Sequence, residues 1–160
     1  MSHLLAHQFL DDRAIPYRVQ TFSPDTEKGA ANVAQALGFR ERQMIKTLIF
    51  VDAKRDEQVL VMLGGDQNAI SGHLKKAIGS RNIKLAAPEV VLATTGYAIG
   101  SIPPFHWQPE GFRTFLDAAL MNEPEVGVGA GVWGHEIILT PQHLVEATSA
   151  IVVNLTEPNP

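Results

Sequence analysis

The sequence predicts an α+β fold: a mixed, largely antiparallel, barrel-like sheet with helices packed around it, in a single domain spanning 1–160. Three observations carry that expectation. The chain has 160 residues, about the length of one domain. Its strand signals outnumber its helix signals, and the connections vary too much for repeated βαβ units. With 45% hydrophobic and 19% charged residues, it also has enough apolar material to bury roughly 68–70% of the surface of the unfolded chain.

The elements follow in order. His3 to about Asp12 reads as a helix with Leu5 and Phe9 on one face, and Pro16 then forces Tyr17 to Val19 to extend. Val33, Ala34 and Leu37 keep helical spacing up to Gly38, which is placed as a left-handed cap. Ile45 to Val51 alternates as a strand, with Lys46, Leu48 and Phe50 on one face. Val59 to Leu63 is a second strand, and Gly64-Gly65-Asp66 is a turn. Ser71 is placed to cap a helix ending at Gly79, and Pro88 starts a short helix to about Ala93. Gly96 to Pro104 is too rich in Gly and Pro for regular structure. Residues 113–116, 126–128, 136–139 and 151–155 read as strands, with Thr140-Pro141 opening a last helix.

Composition narrows the function. Thirteen Lys and Arg against 17 Asp and Glu give a net charge of −4, so bulk positive charge does not hold a nucleic acid here. The charge is nevertheless uneven. No Lys or Arg follows Arg113, whereas Lys75, Lys76, Arg81 and Lys84 lie in a window free of acids between Asp66 and Glu89. That cluster is either a phosphate-contacting patch or a solvated helix face and loop. The absence of Cys excludes disulfide scaffolds and thiol nucleophiles and suits the cytoplasm. The amino terminus lacks the pattern of a signal peptide, and no apolar run is long enough to span a membrane.

Several motifs resemble known signatures without their context. Gly129-Ala-Gly131-Val-Trp-Gly134 matches the dinucleotide pattern, but a strand follows it where that pattern needs a helix. His135-Glu136 begins like a zinc protease helix, yet Leu139 stands where the second His belongs. His3 and His7 share a helix face without a third ligand. No nucleophile elbow of a Ser triad occurs. No metal and no cofactor is expected.

Three pieces remain. Lys46 interrupts an apolar strand, so its ammonium either snorkels to the sheet edge or is held in a cleft. The Gly96–Pro104 loop allows close approach of backbone to a ligand. The alternating glycines of Gly127 to Gly134 leave room beside a strand for another backbone or a ligand.

In order along the chain, Val33-Ala-Gln-Ala-Leu-Gly-Phe, Gln43-Met-Ile-Lys46-Thr-Leu-Ile-Phe, the Gly-Gly-Asp66 turn, Thr95-Gly-Tyr-Ala-Ile-Gly100-Ser-Ile-Pro-Pro104-Phe and Gly129-Ala-Gly131-Val-Trp-Gly134-His-Glu-Ile-Ile-Leu resemble the YbaK-like, prolyl-tRNA synthetase editing-domain family. The resemblance covers roughly residues 20 to 155. It implies hydrolysis, in trans, of the ester joining a wrong amino acid to tRNA. It also implies that Lys46 is the functional lysine and that Gly100, Ser101 and Pro104 belong to the loop lining the aminoacyl pocket. Gly131 and Gly134 then match the strand bordering that pocket. Lys46 would anchor the terminal adenosine or move a proton, and backbone N–H groups would stabilise the developing oxyanion. The expected partners are the acceptor end of aminoacyl-tRNA and a synthetase such as prolyl-tRNA synthetase, with neither membrane nor DNA.

Two departures bear on specificity. Ser101 stands where the family more often has a second glycine, which should narrow the pocket and favour small residues of the Ala, Ser, Thr or Cys class. Val132 and Trp133 replace residues that are frequently basic, and the Lys75–Lys84 patch is placed to compensate. Two other readings stay open: a non-catalytic module that binds tRNA or a synthetase, and a small-molecule binding domain unrelated to tRNA.

Overall fold

A computed structural model describes residues 4–158. The first helix, α1, is Leu5–Asp12, and β1 is Arg18–Thr21. They are followed by α2 (Ala30–Leu37), β2 (Lys46–Asp52), β3 (Glu57–Leu63), α3 (Ser71–Ile78), β4 (Ile83–Leu85) and α4 (Pro88–Thr95). The chain continues with β5 (Thr114–Asp117), β6 (Val126–Gly129), β7 (His135–Leu139), α5 (Pro141–Thr148) and β8 (Ile151–Val153). Among the described residues no helix is long and apolar enough to cross a membrane.

The fold is α+β, and its strands divide into two sheets, ordered β1-β7-β6 and β4-β2-β3-β5-β8. Antiparallel pairing joins β1 to β7, β6 to β7, β2 to β3 and β2 to β4; β3–β5 and β5–β8 are parallel. The barrel does not close. The sheets meet where Met44 bridges to Gly127, and the Ile45 N–H donates to the Gly127 carbonyl at 2.9 Å.

One core lies between the sheets, where Ile49, Leu60, Met62 and Leu116 face Val126, Val128, Ile137 and Leu139. A second lies under α3, where Val59, Val61, Leu63 and Phe115 meet Leu74 and Ile78. The larger sheet is thus covered on both faces, which is why Val59 to Leu63 is an unbroken buried run and not an alternating one. A third cluster packs Val33 and Ala34 of α2 on Met44 and Ile138, covering the outer face of the smaller sheet.

Local chemistry sets most of the boundaries. Gly38, Gly79 and Gly96 end α2, α3 and α4 in the left-handed conformation, and the Thr140 hydroxyl accepts from the His143 N–H at 3.1 Å to open α5. Ser71 does not cap α3. It is the first helical residue, and Ile70 occupies the cap position without a side-chain bond. On α1 the buried face is Ala6, His7 and Leu10, while Leu5 points to solvent, because the helix lies across the core one residue out of phase with the expected pair. His7 is buried and stacks on Tyr17; His3 lies outside the described residues.

Candidate functional site

A cavity of about 400 Å³ lies where the start of α2, the start of β2, the loop after α4 and the β6–β7 hairpin converge. That volume is in the range of sites that enclose a small organic ligand. Its walls are mostly apolar, from Val33, Met44, Ile45, Ile99, Ile102 and Trp133. Three ionisable groups stand out against them, Lys28, Lys46 and Glu136.

Lys46 is the first residue of β2, opposite Leu63, and shares its face with Leu48 and Phe50, which pack into the cluster under α3. Its ammonium donates to the Asn68 side-chain carbonyl at 3.2 Å. It forms no ion pair among the described residues. An ammonium at the mouth of an apolar cavity with only a neutral partner is free to receive an anionic or hydroxyl-bearing ligand.

Glu136 sits on β7, the middle strand of the smaller sheet, paired with Gln20 on one side and Gly129 on the other. It is only 7% exposed. Burial pushes its carboxyl from an ordinary value near 4.5 up to about 8. Lys46 and Glu136 line one cavity without forming an ion pair, the carboxyl keeping its proton at neutral pH until a cation approaches it. The strand alternation alone did not mark Glu136, and its position followed by Ile137, Ile138 and Leu139 in a strand was the available signal.

The glycines of β6 hold this corner together. A Cβ on Gly127 would lie 2.7 Å from Met44 Cε and 3.0 Å from Glu136 Oε2; one on Gly129 would lie 3.0 Å from the Ser101 carbonyl carbon. The strand therefore accepts a side chain at the first position and another backbone at the second. That backbone approach sets the Gly96–Pro104 loop against β6.

The loop itself is pinned. The Tyr97 hydroxyl lies 2.5 Å from His106 Nε2, and the Thr95 hydroxyl accepts from the Tyr97 N–H at 3.0 Å. Burial keeps the His106 imidazole below its usual range. Trp107 Nε1 donates to the Pro103 carbonyl at 2.6 Å, and Gln108 Nε2 to the Pro104 carbonyl at 2.7 Å.

Of the residues singled out in the sequence, the structure brings Lys46 and Gly100 to the cavity wall. Ser101 and Pro104 are buried beside it but are not among the lining residues. Gly131 packs under Tyr97, and Gly134 against the Phe22 carbonyl; both shape the hairpin behind the wall. Lys28 was not apparent from sequence. Its ammonium lies 4.0 Å from the centre of the Trp133 ring, and both residues line the cavity, as do Gly29 and Ala30 at the positive end of α2. Lys75, Lys76 and Arg81 line a separate, open basin, and Lys84 lies on β4 beside Val51.

This α+β domain thus carries a glycine-edged, mostly apolar cavity lined by lysines and a buried carboxyl. The chain belongs to the aminoacyl-tRNA editing domain family, whose model matches residues 25–147. It is 26% identical over 152 residues to an Enterococcus faecalis protein provisionally named Cys-tRNA(Pro)/Cys-tRNA(Cys) deacylase EbsC, with 94% of this chain and 92% of that one covered. It is 30% identical over 129 residues to a proline–tRNA ligase of Listeria monocytogenes serotype 4b, covering 79% of this chain but 22% of the ligase. A solved structure described provisionally as a trans-editing enzyme for prolyl tRNA synthetase superposes with a TM-score of 0.84 at 28% identity, covering 98% of this chain and all of the other.

Proposed function

We propose that the chain works as one editing unit that hydrolyses, in trans, the ester of a mischarged aminoacyl-tRNA carrying a small amino acid of the Ala, Ser, Thr or Cys class. The observation that carries this reading is the presence of both Lys46 and the buried Glu136 on the wall of one mostly apolar cavity. An aminoacyl ester presents an α-ammonium, a short side chain and a ribose–phosphate end. Glu136 takes the ammonium, whose positive charge draws the buried carboxyl into its ionised form. Lys46 takes the terminal adenosine, and the apolar wall of Val33, Ile45 and Ile102 receives the side chain.

The chemistry needs a water and donors for the oxyanion that forms as water adds to the ester carbonyl. Backbone N–H groups of the Gly100 loop and the uncapped first turn of α2 border the cavity and serve as such donors. One proton of the attacking water goes to the ribose oxygen as the ester C–O bond breaks, the other passes to solvent, and the amino acid departs as its carboxylate. Steric exclusion by a cavity of about 400 Å³ favours small side chains.

The test is deacylation of a panel of tRNA species charged with Ala, Ser, Thr, Cys, Pro and Phe, by the wild type and by Lys46→Ala. Release of one or more small residues, lost in the variant, is the expected result. Rapid release of Phe would remove the small-pocket reading, and full activity of Lys46→Ala would move the site elsewhere. Binding of tRNA without any release of amino acid would leave a non-catalytic module.

A further inference from the structure

At the far end of β2 from Lys46 lies an open basin of about 1100 Å³ whose lining includes Lys54, Arg55, Lys75, Lys76, Ser80 and Arg81. The cations come from two places in the chain: the β2–β3 turn, and the end of α3 with the loop that follows it. Sequence proximity joins only the second group. The fold adds Lys54 and Arg55.

The two walls are fastened by one buried carboxylate. Asp52, the last residue of β2, is 1% exposed. It accepts from the backbone N–H groups of Lys54 and Arg55 at 3.1 and 3.3 Å and from the Ser80 hydroxyl at 2.9 Å. Burial acts to raise its pKa, and these donors with the nearby Arg55 outweigh that, so the carboxyl stays below the ordinary carboxylate range. Arg55 further donates to the Gly79 carbonyl at the end of α3 at 3.0 Å. The positions of the cations are therefore set by the fold.

Lys54, Lys75, Lys76 and Arg81 are exposed and form no ion pair among the described residues. Asp56 of the same turn lines a different cleft, with Glu57 and Glu110. Four uncompensated cations at one rim of a chain with net charge −4 make a local attraction that a solvated, randomly charged face does not. The basin is broad, and no polar side chain sits enclosed at its floor to select a small anion. A polyanion whose charges are spread along a backbone fits it better than a free phosphate does.

Geometry supplies the register. Six residue steps of β2 separate Lys46 from Asp52, about 20 Å at roughly 3.3 Å per residue. At about 3.4 Å per phosphate along one strand, that distance corresponds to roughly six stacked nucleotides. It reaches past the short unpaired 3′ end of a tRNA into its first base pairs. α3, which carries Lys75 and Lys76, packs on the same sheet face as Leu48 and Phe50, the face Lys46 shares.

Resting on the editing function proposed above, we propose that the basin formed by Lys54, Lys75, Lys76 and Arg81 docks the sugar–phosphate backbone of the acceptor stem while the aminoacylated 3′ end occupies the cavity. The contact is sequence-independent, so it raises affinity for any tRNA and leaves choice of amino acid to the cavity.

The experiment compares the wild type with a variant carrying Lys54→Gln, Lys75→Gln, Lys76→Gln and Arg81→Gln, using an aminoacylated tRNA and an aminoacylated CCA trinucleotide too short to reach the basin. The expected result is a KM for aminoacyl-tRNA at least tenfold higher with kcat unchanged, and an unaltered rate on the trinucleotide. The logarithmic salt slope of tRNA binding should shrink by roughly 0.7–0.9 for each cation removed. An unchanged KM and slope would overturn the proposal, as would wild-type binding to anionic phospholipid vesicles without affinity for tRNA. If the wild type cleaves neither substrate, the editing reading fails by itself. Affinity of the two proteins for uncharged tRNA then decides the basin: weaker binding by the variant supports it and equal binding overturns it.

Discussion

The cavity and the basin use charge in opposite ways. In the cavity three ionisable groups, Lys28, Lys46 and Glu136, stand among apolar walls, and burial of the last pushes its carboxyl up to about 8. In the basin the cations are exposed, and salt screens them freely. Few, desolvated charges give strong dependence on the shape and charge of one ligand; many, solvated charges give attraction to a whole class of polyanions. Changes to the cavity should therefore alter turnover, selectivity and pH dependence, and changes to the basin should alter only affinity and its salt dependence.

The largest effect is expected at Glu136. Removing one partner of a buried charge pair costs at least about 2 kcal/mol, so Glu136→Gln should lower kcat/KM for aminoacyl-tRNA by about 30-fold or more. Stability should move the other way. Between about pH 4.5 and 8 the folded chain keeps a proton on Glu136 that the unfolded chain has released, so this group's contribution to stability is intact below about 4.5 and is lost as pH rises to about 8. Thermal melting across that range should show Glu136→Gln level with the wild type at pH 4 and more stable at pH 8. A variant that lost activity and showed no gain at pH 8 would mean that the carboxyl is not buried without a partner.

Lys46→Ala comes next. Loss of a charge-assisted contact worth about 1.5–3 kcal/mol should reduce deacylation by roughly 10- to 150-fold, with the melting temperature little changed because Leu48 and Phe50 carry the packing of that face. Single-turnover assays with circular dichroism as the folding check would measure both. The salt slope of tRNA binding should change by no more than one cation's share, in contrast to the basin variant.

The smallest effect is expected at Ser101. Its residue is buried beside the cavity and not on its lining, so Ser101→Gly should change the ratio of Ser-tRNA to Ala-tRNA deacylation by less than about tenfold, the most that one hydrogen bond of about 0.5–1.5 kcal/mol allows. A larger change in that ratio would bring the hydroxyl into contact with substrate and make the loop, and not the sheets, the seat of selectivity.

The order of these elements was legible along the chain because each boundary has a local cause. Gly38 and Gly79 end helices where a left-handed residue is needed, Thr140 and Pro141 begin one, and the alternation around Lys46 places it on a face with Leu48 and Phe50. The motifs that carry the family resemblance are likewise local runs. What the sequence left undivided was the sheet: its strands read as one, because the split between β1-β7-β6 and β4-β2-β3-β5-β8 depends on pairings between distant segments. The three-residue β4 also escaped notice, since its pairing with β2 and not its own pattern makes it a strand. Glu136 and Lys46 lie 90 residues apart, and only the packing of α2 and Met44 against the smaller sheet buries the carboxyl and opens a cavity shared with the lysine. Lys54 joins Lys75, Lys76 and Arg81 for the same kind of reason: Asp52 ties the β2–β3 turn to the end of α3. Residue type and local spacing determined which groups this protein has and which elements carry them, while desolvation and the meeting of charges are properties of neighbours in space, which tertiary packing alone assigns.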